Sequence, residues 1–70
     1  MKSRELYVVI ERDEDGLYVG EVPQLKACYS QGETIDELMA NIREVVEMCL
    51  EELEEEATLT EFVGVQRLVV

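Results

Sequence analysis

The sequence contains no histidine, no tryptophan and only one proline among its 70 residues. Without histidine, the chain lacks the side chain that most often serves as a general acid or base near neutral pH, and also the commonest metal ligand. The two cysteines, Cys28 and Cys49, do not have the C-x-x-C spacing of a zinc or redox site. We therefore interpret them as small buried thiols in a reducing compartment. We predict no metal, no cofactor and no enzymatic activity.

Basic residues are also scarce. Six lysines and arginines face 17 aspartates and glutamates, which gives a net charge of −11. Nucleic-acid binding depends on lysine and arginine displacing counterions from phosphates, so we expect no direct contact with DNA or RNA. A basic protein is the favoured partner, because opposite electrostatic fields speed the encounter of two proteins. The alternative, that the acidity serves only solubility, stays open at this point.

Long apolar runs are absent. No run approaches the roughly 18 residues of a membrane-spanning helix, and the N-terminus has no basic-plus-apolar secretion signal. We expect a soluble, cytoplasmic protein that does not associate with a membrane. The length suits one domain over residues 1–70, whose core supplies at most roughly 3–5 kcal/mol. Self-association is the remaining route to further stability.

The apolar residues that are present first alternate with a period of two. This alternation predicts strands over residues 4–12, 17–22 and 27–31. Asp13 to Gly16 form the first turn, where glycine permits a positive φ. Pro23 ends the second strand because it has no N–H to donate to the ladder. Three strands at these spacings predict an antiparallel meander.

The period then changes to 3.6, which predicts a helix over residues 35–56. Thr34 as N-cap and Glu37 three residues later make a capping box. The predicted helix ends in an acidic run, although the helix dipole favours cations at a C-terminus. This end is either merely solvated or a docking edge for a basic partner. Its carboxylates are Glu51, Glu52, Glu54, Glu55 and Glu56.

A final strand, Phe62–Val70, is predicted to lie parallel to the first strand after a right-handed crossover. The predicted fold is therefore α+β with the order βββαβ: a three-stranded antiparallel meander, a parallel C-terminal strand, and one long helix on one face. Because the last strand is apolar on both faces, its second face needs cover. We expect a homodimer or higher homo-oligomer. The predicted interface residues are Phe62, Val63, Val65, Leu68 and Val69.

The middle of the chain resembles the HicB-like antitoxin family. The similarity extends over about residues 5–46, and Asn41 and Ile42 continue it into the helix. The family usually has glycine where this chain has Ala27, and often alanine where it has Leu38. We interpret both departures as small packing changes. The matching motifs are Gly16-x-Tyr18-Val19, Val22-Pro23-x-Leu25 and Cys28-x-Ser30-x-Gly32-x-Thr34-x-x-Glu37.

The resemblance implies a partial ribonuclease-H-like fold and a small basic partner, the mRNA-cleaving HicA toxin, whose active site the antitoxin covers. Many family members carry a further DNA-binding domain. We expect this chain to be a stand-alone N-terminal domain without one. The alternative function is a stand-alone oligomeric module that binds another protein or a ligand. The predicted partner contacts lie near the first hairpin, with the tyrosine as an aromatic anchor. They are Glu11, Asp13, Asp15, Tyr18 and Glu21.

Overall fold

The computed structural model describes residues 5–53 and 59–70. Strands β1 (Val9–Arg12), β2 (Tyr18–Glu21) and β3 (Tyr29–Gly32) precede one helix, α1 (Ile35–Glu52). The strands form an antiparallel sheet in the order β1-β2-β3, and α1 packs on one face of it. The predictions of an α+β fold, an antiparallel meander and one long helix are confirmed.

The β1–β2 turn is closed by Asp13. Its Oδ1 accepts hydrogen bonds from the backbone N–H groups of Asp15 and Leu17, both at 2.9 Å. Its own N–H donates to the Leu17 carbonyl at 2.9 Å, and Gly16 takes a φ of 83°. The side chain of one aspartate therefore accepts the hydrogen bonds of two backbone N–H groups in the turn. The predicted position of the glycine is confirmed.

Strand β1 is shorter than the predicted 4–12. The register pairs Val9 with Glu21, which would place Tyr7 opposite Pro23, a residue without an N–H. The Gln24 side chain replaces the missing ladder: its Oε1 accepts from the Tyr7 N–H at 2.9 Å, and its Nε2 donates to the Glu5 carbonyl at 3.3 Å. Residues 5–8 are thus held beside the sheet by a side chain instead of by strand pairing.

Strand β3 begins two residues later than predicted because the chain before it forms a tight loop. The Val22 N–H donates to the Cys28 carbonyl at 2.9 Å, and the Leu25 N–H donates to the Val22 carbonyl at 3.1 Å. Within this loop Ala27 has a φ of 56°, in the left-handed region that glycine adopts freely. The departure from glycine at this position therefore concerns backbone conformation, and the interpretation as a packing change is wrong for Ala27.

Helix α1 begins as predicted and ends earlier. The Thr34 side chain accepts a hydrogen bond from the Glu37 N–H at 3.0 Å, which confirms the N-cap. At the other end Leu53 is extended, and its N–H turns back to the Leu50 carbonyl at 3.3 Å. The last predicted residues of the helix, Glu54, Glu55 and Glu56, lie outside the described residues.

The core lies between α1 and the β2–β3 half of the sheet. A Cβ on Gly32 would lie 2.5 Å from the Leu38 backbone nitrogen, so only glycine permits this close approach of helix and strand. The Asn41 side chain donates to the Gln31 carbonyl at 2.9 Å and ties the helix to β3. The helix therefore sits to one side of the sheet, away from β1. The buried core residues are Val22, Leu25, Cys28, Leu38 and Ile42.

Residues 59–70 do not form the predicted fourth strand within this chain. The segment is anchored at its start, where Phe62 stacks on Tyr7 with ring centroids 4.6 Å apart and Thr60 Oγ1 donates to the Pro23 carbonyl at 3.5 Å. Beyond the anchor Val63 is 91% exposed and Leu68 is 84% exposed. The segment has the apolar composition of a strand but pairs with none of the three strands of the sheet.

The left-handed backbone at Ala27 leads to the first prediction. Ala27→Gly should stabilise the protein by about 0.5–1 kcal/mol, because relief of the left-handed strain exceeds the entropy that glycine adds to the unfolded chain. The matched control is Ala40→Gly at an exposed position of α1, which should destabilise by about 1 kcal/mol. Urea unfolding measures both changes. Two losses of similar size would contradict the strain at Ala27.

The buried thiol leads to the second prediction. Cys28 is buried and Cys49 half-buried, and both are free thiols. Burial, with the hydrogen bond and the charge of the Cys49 thiol as smaller causes, raises the pKa of Cys28 from 9.0 to about 11. The unfolded chain ionises this thiol at lower pH than the folded one does. Its stabilising effect is thus complete below pH 9 and is lost as the pH rises to about 11, a change on the order of 2 kcal/mol.

Urea unfolding of the wild type and of Cys28→Ala between pH 8 and pH 11 measures this dependence. The stability difference between the two proteins should narrow as the pH rises, because titrating groups remote from Cys28 affect both proteins equally. Parallel curves over this range would show that Cys28 does not titrate as described.

Candidate protein-binding surface

The sheet has one covered and one open face. Side chains alternate between the faces of a sheet, and residues paired across strands share a face. Gly20 faces α1, since a Cβ there would lie 3.0–3.2 Å from Val8 and Leu38 side-chain atoms. The odd-numbered residues of the strands therefore point away from α1. We name this side the outer face, and its residues are Tyr7, Val9, Glu11, Val19, Glu21, Tyr29 and Gln31.

The register arranges the outer face in two cross-strand rows. One row runs Val9–Glu21–Tyr29 and the other Glu11–Val19–Gln31. Each row places a carboxylate beside valine, and the first ends on Tyr29, which is 64% exposed. Tyr7, with Phe62 stacked on it, extends the apolar area at one end. Exposed aromatic rings are enriched at protein-binding surfaces, and the carboxylates in these rows favour a basic partner.

The structure brings only two of the five predicted contacts together on this face, Glu11 and Glu21. Asp13 and Asp15 lie in the turn beyond the strands, where one Asp13 oxygen is already engaged by backbone N–H groups. Tyr18 lies on the other face: it is half-buried and pairs with Arg12, whose guanidinium carbon is 5.6 Å from the centre of the ring.

From the sequence, Tyr18 was the one tyrosine predicted to contact the partner, and neither Tyr7 nor Tyr29 was named. The strand period separates them, because Tyr7 and Tyr29 fall in the same phase as Glu11 and Glu21, whereas Tyr18 falls in the opposite phase. The outer face of a meander is thus readable from sequence once the register is known. The register between β2 and β3, which depends on the Val22–Cys28 loop, was not predicted from the sequence.

On the covered side, an open apolar groove of about 450 Å³ lies between α1 and residues 6–8, the segment that leads into β1. It exists because the helix is displaced toward β3. The groove is lined by Leu6, Val8, Val22, Met39, Ile42, Arg43 and Val46.

Features of other functional classes were sought in the same residues. Across residues 5–53 and 59–70, no three histidine, cysteine, aspartate or glutamate side chains are grouped as a metal site would require. No helix in this part of the chain has the length and apolar character needed to span a membrane.

Comparison with known proteins gives a consistent result. A family model described as the HicB-like antitoxin of bacterial toxin–antitoxin systems matches residues 6–69. A UPF0150 protein of Synechocystis sp. is 73% identical over 70 residues, all of both chains. A UPF0150 protein of Archaeoglobus fulgidus is 46% identical over 59 residues, 84% of each chain.

A UPF0150 protein of Helicobacter pylori is 50% identical over 46 residues, which cover 66% of this chain and 62% of the relative. No solved structure matches the chain significantly. The family match spans the sheet, the helix and the exposed C-terminal segment, and it confirms the resemblance inferred from the hairpin and helix-start motifs. The chain belongs to the HicB-like antitoxin family of bacterial toxin–antitoxin systems.

Proposed function

We propose that this chain inhibits a small basic HicA-like ribonuclease by binding over its catalytic surface in the reducing cytoplasm. Membership of an antitoxin family implies a toxin partner. A ribonuclease must attract RNA phosphates with lysine and arginine side chains, so its active surface is positively charged. A chain with a net charge of −11 is suited to such a surface and unsuited to RNA itself. The chain acts by occupying the surface and catalyses nothing.

The observation that carries the proposal is the composition of the outer face. Glu11 and Glu21 lie in neighbouring cross-strand rows, and each is flanked by valine on the adjacent strand. Carboxylates in this setting attract basic side chains during encounter, while the apolar residues beside them give up water on contact. Tyr29, at the end of a row and largely exposed, supplies the aromatic anchor on this face.

The hairpin carboxylates extend this surface. Asp13 and Asp15 lie in the β1–β2 turn next to Glu11, where they would contact the partner at the rim. Contacts at a solvated rim contribute to the rate of encounter more than to the lifetime of the complex. Tyr18, on the other face, would meet the partner only if the contact wraps around the hairpin.

We also propose that the chain self-associates through its exposed C-terminal segment. Val63, Val65, Leu68 and Val69 are largely exposed, and Phe62 anchors the segment on Tyr7. An apolar strand-like segment in water promotes association. Pairing of residues 62–70 as a fourth strand would also complete the βββαβ order that a partial ribonuclease-H-like fold requires.

Charge reversal on the outer face tests the inhibitory function. The partner is sought among small basic proteins encoded beside this chain, as one that stops growth when expressed alone and is neutralised by co-expression. Glu11→Lys/Glu21→Lys should slow association with that toxin at least tenfold and flatten its salt dependence, because the steering charges are reversed. Stopped-flow mixing at several salt concentrations measures both effects.

The matched control is Glu44→Lys/Glu47→Lys, two exposed carboxylates of α1 outside the acidic C-terminal run, which changes the net charge equally. It should retain most of the association rate. Equal slowing by both pairs would assign the effect to net charge alone and remove the outer face from the proposal. If no adjacent candidate stops growth and none binds this chain, the result would favour the alternative function, a stand-alone oligomeric module that has no toxin.

A further inference from the structure

We infer that the C-terminal segment of one copy adds as a strand to the free edge of β1 in a second copy, with its valine row in the groove between α1 and the segment that leads into β1. We name residues 62–70 the donor segment, and the β1 edge with its groove the acceptor. The inference builds on the proposed self-association and is independent of toxin inhibition. It identifies the surface that receives the segment.

The acceptor edge is free to pair. The Asp13 N–H points toward β2, where it donates to Leu17. The backbone N–H and C=O groups of successive residues point to alternate sides of an antiparallel strand. Those of Val9 and Glu11 therefore also point toward β2, and those of Ile10 and Arg12 point away from it. The bond from the Tyr7 N–H to Gln24 continues the same phase into residues 5–8. A row of backbone donors and acceptors thus faces outward along one side of β1.

The opposite edge of the sheet is less suited to this role. The Asn41 side chain already donates to the Gln31 carbonyl, and α1 packs closely against β3. At β1 the helix stands away from the strand, and the groove of about 450 Å³ lies between α1 and the residues just before the strand, Leu6 and Val8. An incoming strand at β1 gains backbone pairing and also covers the apolar floor of the groove, which includes Val8, Met39 and Val46.

The donor segment matches this acceptor in length and in side chains. Its seven residues 63–69 extend about 23 Å at about 3.3 Å per residue, the same as residues 6–12. Val63, Val65 and Val69 share one side of an extended chain, and the other side carries Gly64 and Gln66 at its centre. The valine row is the one that fits an aliphatic groove. Arg67 falls in this row, and its long stem can carry the charge to solvent.

Charge favours a second copy of this chain as the source of the segment. All 17 acidic residues precede residue 62, and the donor segment contains a single charged side chain, Arg67. Two strongly acidic bodies repel each other, but a segment without carboxylates can approach either body. Its own copy does not use it: Phe62 is stacked on Tyr7 of the outer face, whereas the groove opens on the helix face. Donor and acceptor are therefore both unfilled within one chain, and two copies fill them reciprocally.

Two single substitutions test the acceptor and the donor separately. Ile10→Pro removes an N–H that the chain's own sheet does not use, and proline is tolerated at such an edge position. Val65→Asp places a charge in the donor row at a residue that is 73% exposed in the single chain, so it leaves the fold intact. Sedimentation velocity should give at least a dimer for the wild type and a folded monomer for each variant.

Mixing the two variants gives the decisive result. The Ile10→Pro copy keeps a functional donor and the Val65→Asp copy keeps a functional acceptor, so the mixture should form a heterodimer with one exchanged strand. If segments instead pair with each other, Ile10→Pro alone remains dimeric and mixing restores nothing. Gln66→Asp is the matched control, since it adds the same charge on the other side of the segment and should leave the dimer within about threefold of wild-type affinity.

A monomeric wild type at micromolar concentration would overturn the inference, as would a dimeric Ile10→Pro variant. If Ile10→Pro does not fold, Arg12→Pro removes the next outward N–H and takes its place. Toxin binding is measured separately on every variant, and monomeric variants that still neutralise the toxin would separate self-association from inhibition.

Discussion

The close packing of α1 against β3 is the contact on which the other features of this protein depend. Because Gly32 has no side chain, the helix backbone approaches β3 far more closely than a Cβ would permit, and Asn41 then bonds the helix to the β3 backbone. This contact displaces the helix toward one edge of the sheet. It explains why the β3 edge is covered and why an open groove lies between α1 and the residues that lead into β1.

The sheet of this small domain has apolar residues on both faces, and the single helix covers only one face. The core of the domain contains few fully buried side chains, while tyrosines on the outer face and valines in the C-terminal segment remain exposed. Exposed apolar area of this kind is costly in a solitary protein and useful in one that works through partners. The two proposals assign a different partner to each surface: a basic toxin to the outer face, and a second copy to the β1 edge and groove.

The negative charge makes these two associations compatible. Carboxylates lie throughout the body of the chain and none lies in the donor segment. The body therefore attracts a basic protein at a distance, whereas contact between copies is left to a segment that adds no repulsion. In these proposals, separate regions of one short sequence bind the toxin and a second copy of the chain.

Local signals in the sequence predicted the elements that depend on neighbouring residues. The Asp13–Gly16 turn, the Thr34 cap and the period change at the helix are short-range chemistry, and all three are found. The errors concern longer-range constraints. Strand β1 is shortened by Pro23 on the partner strand, β3 is delayed by a loop that needs a left-handed residue, and residues 59–70 do not pair with the sheet of their own chain. For the same reason the hairpin carboxylates were recognised as a group, while their division between the turn and the outer face required the register.

The three tyrosines provide the most direct test of the central claim, which is that the uncovered sheet face binds the partner. Tyr7 and Tyr29 lie on the outer face, and Tyr18 lies on the helix face under Arg12. The measurement is the broadening of each tyrosine ring signal in the NMR spectrum by a soluble paramagnetic agent, with and without the toxin bound. The account predicts that the toxin protects the Tyr29 ring and leaves the accessibility of the Tyr18 ring unchanged. Protection of Tyr18, with Tyr29 still fully accessible in the complex, would contradict it.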